Sequence, residues 1–285
     1  MNLGKLIKLA RTRLRDKNPD KYLWDNDELI EFANSAVSEA AIRARLLQTQ
    51  SIVPVTAGLS DVTLPYTVLQ PQGALFLDHA GPTALAGNFV VGRWYLIATV
   101  GTTAFHTIGA RTDVAGEVFL ATGIGTGTGT AILCQESPLL PMAQDEYYTL
   151  RAYQRISPTR PTHYMRGNNA NTVTLYPTPL TDGTIVLDDR RMPSEDDEMQ
   201  VNGDEPVIPE EFHRDLVYWM LAEAYQVHAA DKLDVGAAAR YEALFDQRFG
   251  KKISAKAEMQ GRRNIVGSDI RPQKYGGGVN QSHKY

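Results

Sequence analysis

Residues 24–55 read WDNDELIEFANSAVSEAAIRARLLQTQSIVPV, and the fold class turns on a change of period inside them. Asp25 stands where a helix N-cap belongs and Glu28 follows three residues later, the pairing that closes a capping box. Leu29, Ala33, Ala36, Val37, Ala40, Ala44 and Leu47 then recur at helical spacing, which predicts a helix from about Asp27 to Gln48. Alanine at so many of these positions lets a neighbouring helix approach closely. After Gln50 the period drops to two, and Ile52-Val53-Pro54-Val55 and Val62-Thr63-Leu64 read as strands around an Ala57-Gly58 turn.

Upstream, Leu3, Leu6, Ile7, Ala10 and Leu14 share one face of a short amphipathic helix, with Lys5, Lys8, Arg11, Arg13 and Arg15 mostly around it. Asn18-Pro19-Asp20 ends that pattern. Downstream, residues 70–133 shift toward Gly, Thr, Val and Phe, with strands expected near Trp94–Val100, Phe105–Ile108, Val118–Ala121 and Ala131–Cys134. Ser137-Pro138-Leu139-Leu140-Pro141 closes this stretch. Tyr147–Ile156, Thr162–Tyr164, Thr172–Tyr176 and Thr184–Leu187 read as further short strands. Pro209 with Glu210 and Glu211 is a favoured helix start, because the missing N–H costs nothing there and the acids meet the positive end of the dipole. Leu216, Trp219, Met220, Glu223, Ala224 and Val227 share one side of that helix, and a fourth runs from about Val235 to Phe249, with Gly250 as its stop.

These elements predict an α+β fold: a helical bundle of about four helices with a small antiparallel β region, a discontinuous core interrupted by an inserted all-β module, and an extended C-terminal arm. The core is expected over residues 1–70 and 135–250, the inserted module over 71–134, and the arm over 251–285. The chain's 285 residues are ample for this, and 43% hydrophobic and 22% charged residues are ordinary for a globular protein. No apolar run is long enough to span a bilayer and the N-terminus has no signal core, which points to synthesis in the cytoplasm and no membrane partner. The net charge of −4 hides an asymmetry. From Arg248 onward nine Lys or Arg face only Glu258 and Asp269, so this end carries +7 and the rest −11. Such an arm suits an acidic groove or a phosphate backbone.

Chemistry-bearing motifs are scarce. A single cysteine, Cys134, allows neither an internal disulfide nor a thiolate cluster. His79, His106, His163, His213, His228 and His283 are scattered without HxxxH or HxH spacing, so no metal site is expected. The run Gly123-Ile124-Gly125-Thr126-Gly127-Thr128-Gly129 lacks the Lys-Ser or Lys-Thr that closes a P-loop and is followed by a strand instead of a helix, which favours a hairpin or bulge. No GxSxG elbow is present, and we expect neither catalytic residues nor cofactors. The loop Glu195-Asp196-Asp197-Glu198 lacks the ligand alternation and central glycine of an EF-hand.

The order of the segments resembles head-to-tail adaptor proteins of tailed bacteriophages. The resemblance rests on the Leu- and Arg-rich first helix, on Trp24-Asp25-Asn26-Asp27-Glu28-Leu29-Ile30 followed by an Ala-rich helix, and on Pro161-Thr162-His163-Tyr164. Val173-Thr174-Leu175-Tyr176-Pro177-Thr178-Pro179 and Ile208-Pro209-Glu210-Glu211-Phe212-His213-Arg214-Asp215-Leu216 carry it through the second half. The intervening Val91-Gly92-Arg93-Trp94-Tyr95-Leu96-Ile97, Gly101-Thr102-Thr103-Ala104-Phe105 and Phe119-Leu120-Ala121-Thr122-Gly123 resemble a small β module that recurs as an insertion in phage virion proteins.

The resemblance implies a structural, non-enzymatic virion protein at the head–tail junction: a homo-oligomeric, dodecameric ring that joins the portal to the tail tube or nozzle protein and leaves a channel for DNA. On that basis the arm is expected to dock on the portal protein through Lys251, Lys252, Arg262, Arg263, Arg271, Lys274, Tyr275 and Tyr285. The acidic residues Glu195, Asp196, Asp197 and Glu198 are expected to line the channel, with Asp204 and Glu205 beside them. A second reading makes the protein a virion binding module whose β insert recognises a host glycan or receptor.

Overall fold

The computed structural model describes residues 1–153, 159–167, 171–227 and 233–254. Among them are five α-helices and eleven β-strands. Helices α1 (Leu3–Leu14), α2 (Asn26–Ala44), α4 (Leu216–Gln226) and α5 (Val235–Phe249) share one apolar cluster built on Leu3, Leu29, Ala33, Val217, Met220 and Phe245. The capping box at Asp25 and Glu28 is formed, and α2 ends at Ala44 because Arg45 turns into the left-handed region (φ 51°). Helix α3 (Gln144–Tyr153) lies apart from that cluster, with Tyr147 packed against Met142 and Met165.

The expected helical bundle with a small β region is overturned: the larger part of the fold is β. Strands β1 (Gln48–Val55), β2 (Asp61–Thr63), β3 (Val68–Asp78), β8 (Gln135–Pro141), β9 (His163–Arg166), β10 (Thr172–Tyr176) and β11 (Gly183–Arg191) form one sheet in the order β1-β11-β3-β8-β9-β10-β2. Its pairs are antiparallel except β8 with β9. The sheet curls until its edge strands β1 and β2 lie beside one another, around a core of Val53, Phe76, Leu139, Tyr164, Leu175 and Ile185. The physical reason for the error is range. Val53 pairs with Ile185 and Leu75 with Pro138, and no local period reports partners so far away in sequence.

Three local readings change with it. Residues 147–153 are helical, not extended, with Asp145 and Glu146 in the favourable first turn of α3. Phe105–Ile108 is a 3₁₀ turn. The run Ser137–Pro141, read as punctuation, belongs to β8, in which Pro138 pairs with Leu75 of β3 and Pro141 with Tyr164 of β9.

A second sheet of four strands comes from residues 83–133 alone: β4 (Thr83–Leu85), β7 (Thr130–Leu133), β5 (Trp94–Thr99) and β6 (Val118–Leu120), in that order. One face closes over Phe89, Tyr95, Phe105 and Phe119, whose rings lie 5.0 to 6.1 Å apart. The other face presents Trp94, Leu96 and Val118 to Ile52, Leu75, Leu77 and Val186 on the outside of the curled sheet. The glycine run serves this packing. Gly127 has φ +113°, and a Cβ on Gly129 would sit 2.5 Å from the Val100 carbonyl oxygen, so this is a tight crossing of backbones and not a phosphate cradle.

Candidate functional site

The helical layer meets the mouth of the curled sheet where α2 runs into β1: the Arg191 N–H donates to the Leu47 carbonyl and the Arg190 guanidinium to the Arg45 carbonyl. Here a groove of about 560 Å³ opens between α2 and the turn after β11, lined by Glu31, Asn34, Ser38, Tyr66, Glu195 and Glu198 among others. A smaller hollow of about 390 Å³ continues along α2 past Glu31 and Ser35 to Glu223.

Three of the four acids expected in a channel, Glu195, Asp197 and Glu198, line this groove, with Asp196 outside its lining, and they are not equivalent. Glu195, Asp196 and Glu198 are exposed. Asp197 accepts from the Arg191 guanidinium at 2.5 and 3.2 Å and from the Ser194 N–H and hydroxyl at 2.8 and 2.9 Å. The Arg191 hydrogen bond, chiefly, draws its carboxyl down to about 2. Asp197 thus closes a turn, and three acids remain free to present charge.

One strand residue nearby is the reverse case. Asp189 on β11 is 1% exposed, and neither carboxylate oxygen finds a hydrogen-bond partner in normal geometry. Burial pushes its carboxyl upward; nearby Ser51 and Arg191 oppose that shift and Asp188 adds to it. An acid raised in the folded state stabilises folding below its unfolded value and loses that contribution as pH rises through the folded one. Asp189→Asn removes the buried charge and is therefore expected to raise the urea midpoint at neutral pH, with the gain vanishing below about pH 3.8. Urea denaturation at several pH values checks this, and an unchanged or lower midpoint at neutral pH would contradict it.

Of the residues expected to reach the portal, Lys251 is exposed at the root of the arm. Lys252 is tied down, its Nζ donating to Glu39 Oε1 of α2 at 2.6 Å. Glu39 also accepts from Arg43 at 2.8 Å, and Arg43 reaches Asp246 at 2.7 Å while lying over the rings of Trp219 and Phe245. Burial works against ionising Glu39, but the bonds from Lys252 and Arg43 outweigh it and hold its carboxyl below the usual range. Among the described residues no cation hydrogen-bonds Glu223, although Lys252 is near enough to favour its charge. Burial raises its carboxyl against hydrogen bonds from Ser35 and Trp219 at 2.6 and 2.9 Å. Arg262, Arg263, Arg271, Lys274, Tyr275 and Tyr285 lie outside the described residues.

The remaining reactive side chains have structural work. His213 bridges the Ile208 carbonyl and the first residue, His79 meets the Thr184 hydroxyl at 3.0 Å, and His106 pairs with Asp113 at 2.6 Å. Burial, with Asp78 and Glu136 nearby, pushes the Cys134 thiol up to about 12, far from a reactive thiolate. Among the described residues no three His, Cys, Asp or Glu converge as a metal site, and no helix is long and apolar enough to cross a membrane. His228 and His283 lie outside the described residues.

Sequence reading missed Arg11, Arg43 and Asp189. For Arg11 a signal was present: it falls on the same helical face as Ile7, Ala10 and Leu14, where a solvated arginine does not belong. A family model described as SU10 adaptor protein matches residues 1–267. No curated protein matches the chain.

Proposed function

The chain belongs to the SU10 adaptor protein family, and from that premise we propose that this phage structural protein assembles as a dodecameric ring joining portal to tail around a DNA channel. The observation that carries the reading is a family match over nearly the whole chain, both sheets and all five helices included. Subunits stack side by side in such a ring, and their contacts need little chemistry beyond shape and charge.

The basic arm docks on the portal in this reading. Its root supports the assignment: Lys252 donates to Glu39, so the described start of the arm lies beside α2. Glu195, Asp196 and Glu198 give the channel negative charge, which keeps DNA from sticking. In this reading the β module expected over residues 71–134 is an insert; that the chain leaves the large sheet at the end of β3, Asp78, and rejoins it at β8, Gln135, supports it with narrower bounds. Receptor recognition by this insert finds less support, because Phe89, Tyr95, Phe105 and Phe119 are consumed by its own core instead of lining a cleft.

Mass photometry of the full chain mixed with portal rings tests the proposal. About twelve copies are expected to add saturably to each ring, with little assembly of the protein alone. Deleting residues 262–285 is expected to abolish the addition while leaving the far-ultraviolet dichroism unchanged. Undiminished addition by the shortened chain would remove the arm from the interface, and no addition by the full chain would remove the adaptor role at the portal.

A further inference from the structure

Helix α1 has two opposed faces. Leu3, Leu6, Ile7, Ala10 and Leu14 are buried against α2 and α4, and no acid lies anywhere on the helix. Lys5, Lys8, Thr12 and Arg15, at spacings of three and four, form the opposite face and are exposed. Lys17 and Lys21, also exposed, extend it through the following turn. Four of the six described lysines thus fall within this segment.

These five cations differ from the arginines around them. Arg11 is bound to Asp16, Arg43 to Glu39 and Asp246, Arg191 to Asp197, and Arg248 to Asp215. Lys5, Lys8, Arg15, Lys17 and Lys21 have no carboxylate within ion-pair distance among the described residues. The only acid interleaved with them that points to solvent is Asp20. In a protein of net charge −4, these cations form a separate positive face, the kind of surface that attracts a polyanion.

We propose that this face of α1 contacts the phosphate backbone of duplex DNA without reading its sequence. The ten steps of chain from Lys5 to the helix's C-cap Arg15 rise about 15 Å, the axial length of about four nucleotides on one strand. On the helix itself the face presents Lys5, Lys8, Thr12 and the capping Arg15, with no amide and no aromatic side chain between them, so it carries positioning contacts and not base readout. At its N-terminal end the Leu3 and Gly4 N–H groups donate to the Asp204 and Asn202 carbonyls, which brings the acidic loop beside the cations. A surface of alternating sign grips DNA weakly and lets it move. The proposal deepens the adaptor reading, on which it rests for the presence of DNA.

The test is fluorescence anisotropy with two unrelated duplexes of about 30 base pairs across a salt series, using the full chain and the triple variant Lys5→Gln, Lys8→Gln, Arg15→Gln. Equal binding to both duplexes is expected. The triple variant should lose about two to three units of slope in log affinity against log salt, close to one per cation removed. The loss should be as large when the triple variant is made in an Arg262→Gln, Arg263→Gln background, which separates the α1 cations from those of the arm. An unchanged slope in the triple variant overturns the proposal, as does a variant that binds DNA normally but no longer adds to portal rings, which would make the face a protein interface. Failure of the adaptor reading shows differently: the wild-type chain would bind DNA through α1 yet ignore the portal.

Discussion

Asp16→Ala is expected to lower the unfolding free energy by about 3–5 kcal/mol, the cost of leaving a buried charge without its partner. Arg11 and Asp16 are only 8% and 4% exposed and meet at 2.5 Å. The same guanidinium donates to the Trp24 carbonyl and the Asn26 side chain, both at 2.9 Å, and lies 3.6 Å from the centre of the Tyr22 ring. Asp16 also accepts the Leu23 N–H at 3.0 Å. One ion pair therefore folds the whole connection between α1 and α2 back on itself and sets the angle at which α2 starts. Removing the acid leaves Arg11 stranded and frees residues 16–24. Urea denaturation followed by tryptophan fluorescence reads the loss. The double variant Arg11→Met with Asp16→Leu should recover part of it, since apolar replacement of both partners removes the stranded charge. A loss below about 1 kcal/mol for the single variant would mean that the pair is solvated and marginal.

The second large effect is expected at Phe105→Ala, which should cost about 3–5 kcal/mol of local stability. Phe105 is fully buried, 6.0 Å from the Phe89 ring and 5.5 Å from that of Phe119, so its removal leaves a void at the centre of the small sheet's core. None of the helical cluster touches that core. Hydrogen exchange should show lost protection in β5 and β7 while α2 and α4 keep theirs. Equal loss across all elements would instead show that the two sheets and the helices unfold as one unit, coupled through Trp94 and Val186. The same measurement bears on whether the segment between Asp78 and Gln135 behaves as an insert.

Much of the helical layer was legible because its signals are local. The cap at Asp25, the box with Glu28, the Leu and Ala stripe of α2 and the stop at Gly250 each depend on residues within a turn or two of one another. Strands β5, β6, β7 and β10 were legible too, being short β-branched or aromatic runs between turns. Strand β3 was not. It carries Pro71 and Gly73 and its burial follows no clean alternation, because over residues 74–77 both faces are covered, Ala74 and Phe76 by the curled core and Leu75 and Leu77 by the small sheet. The acids at residues 195–198 were legible as a charged loop, but the division of Asp197 from its neighbours was not, since its partner Arg191 belongs to a strand whose direction only the sheet fixes.

The sequence by itself determined which segments are helical at the two ends, where the glycine-rich and acidic turns fall, the basic character of α1 and the arm, and an order of segments matching an adaptor family. Tertiary structure decided that the β segments form one curled seven-stranded sheet with a second sheet against its outside, which arginines are neutralised, and which acid is buried alone. The reason lies in the reach of the forces. Helix signals act over a few residues of chain, whereas sheet order depends on strands more than a hundred residues apart, and even the short-range pairs Arg11–Asp16 and Arg191–Asp197 are shielded only where the folded chain packs around them.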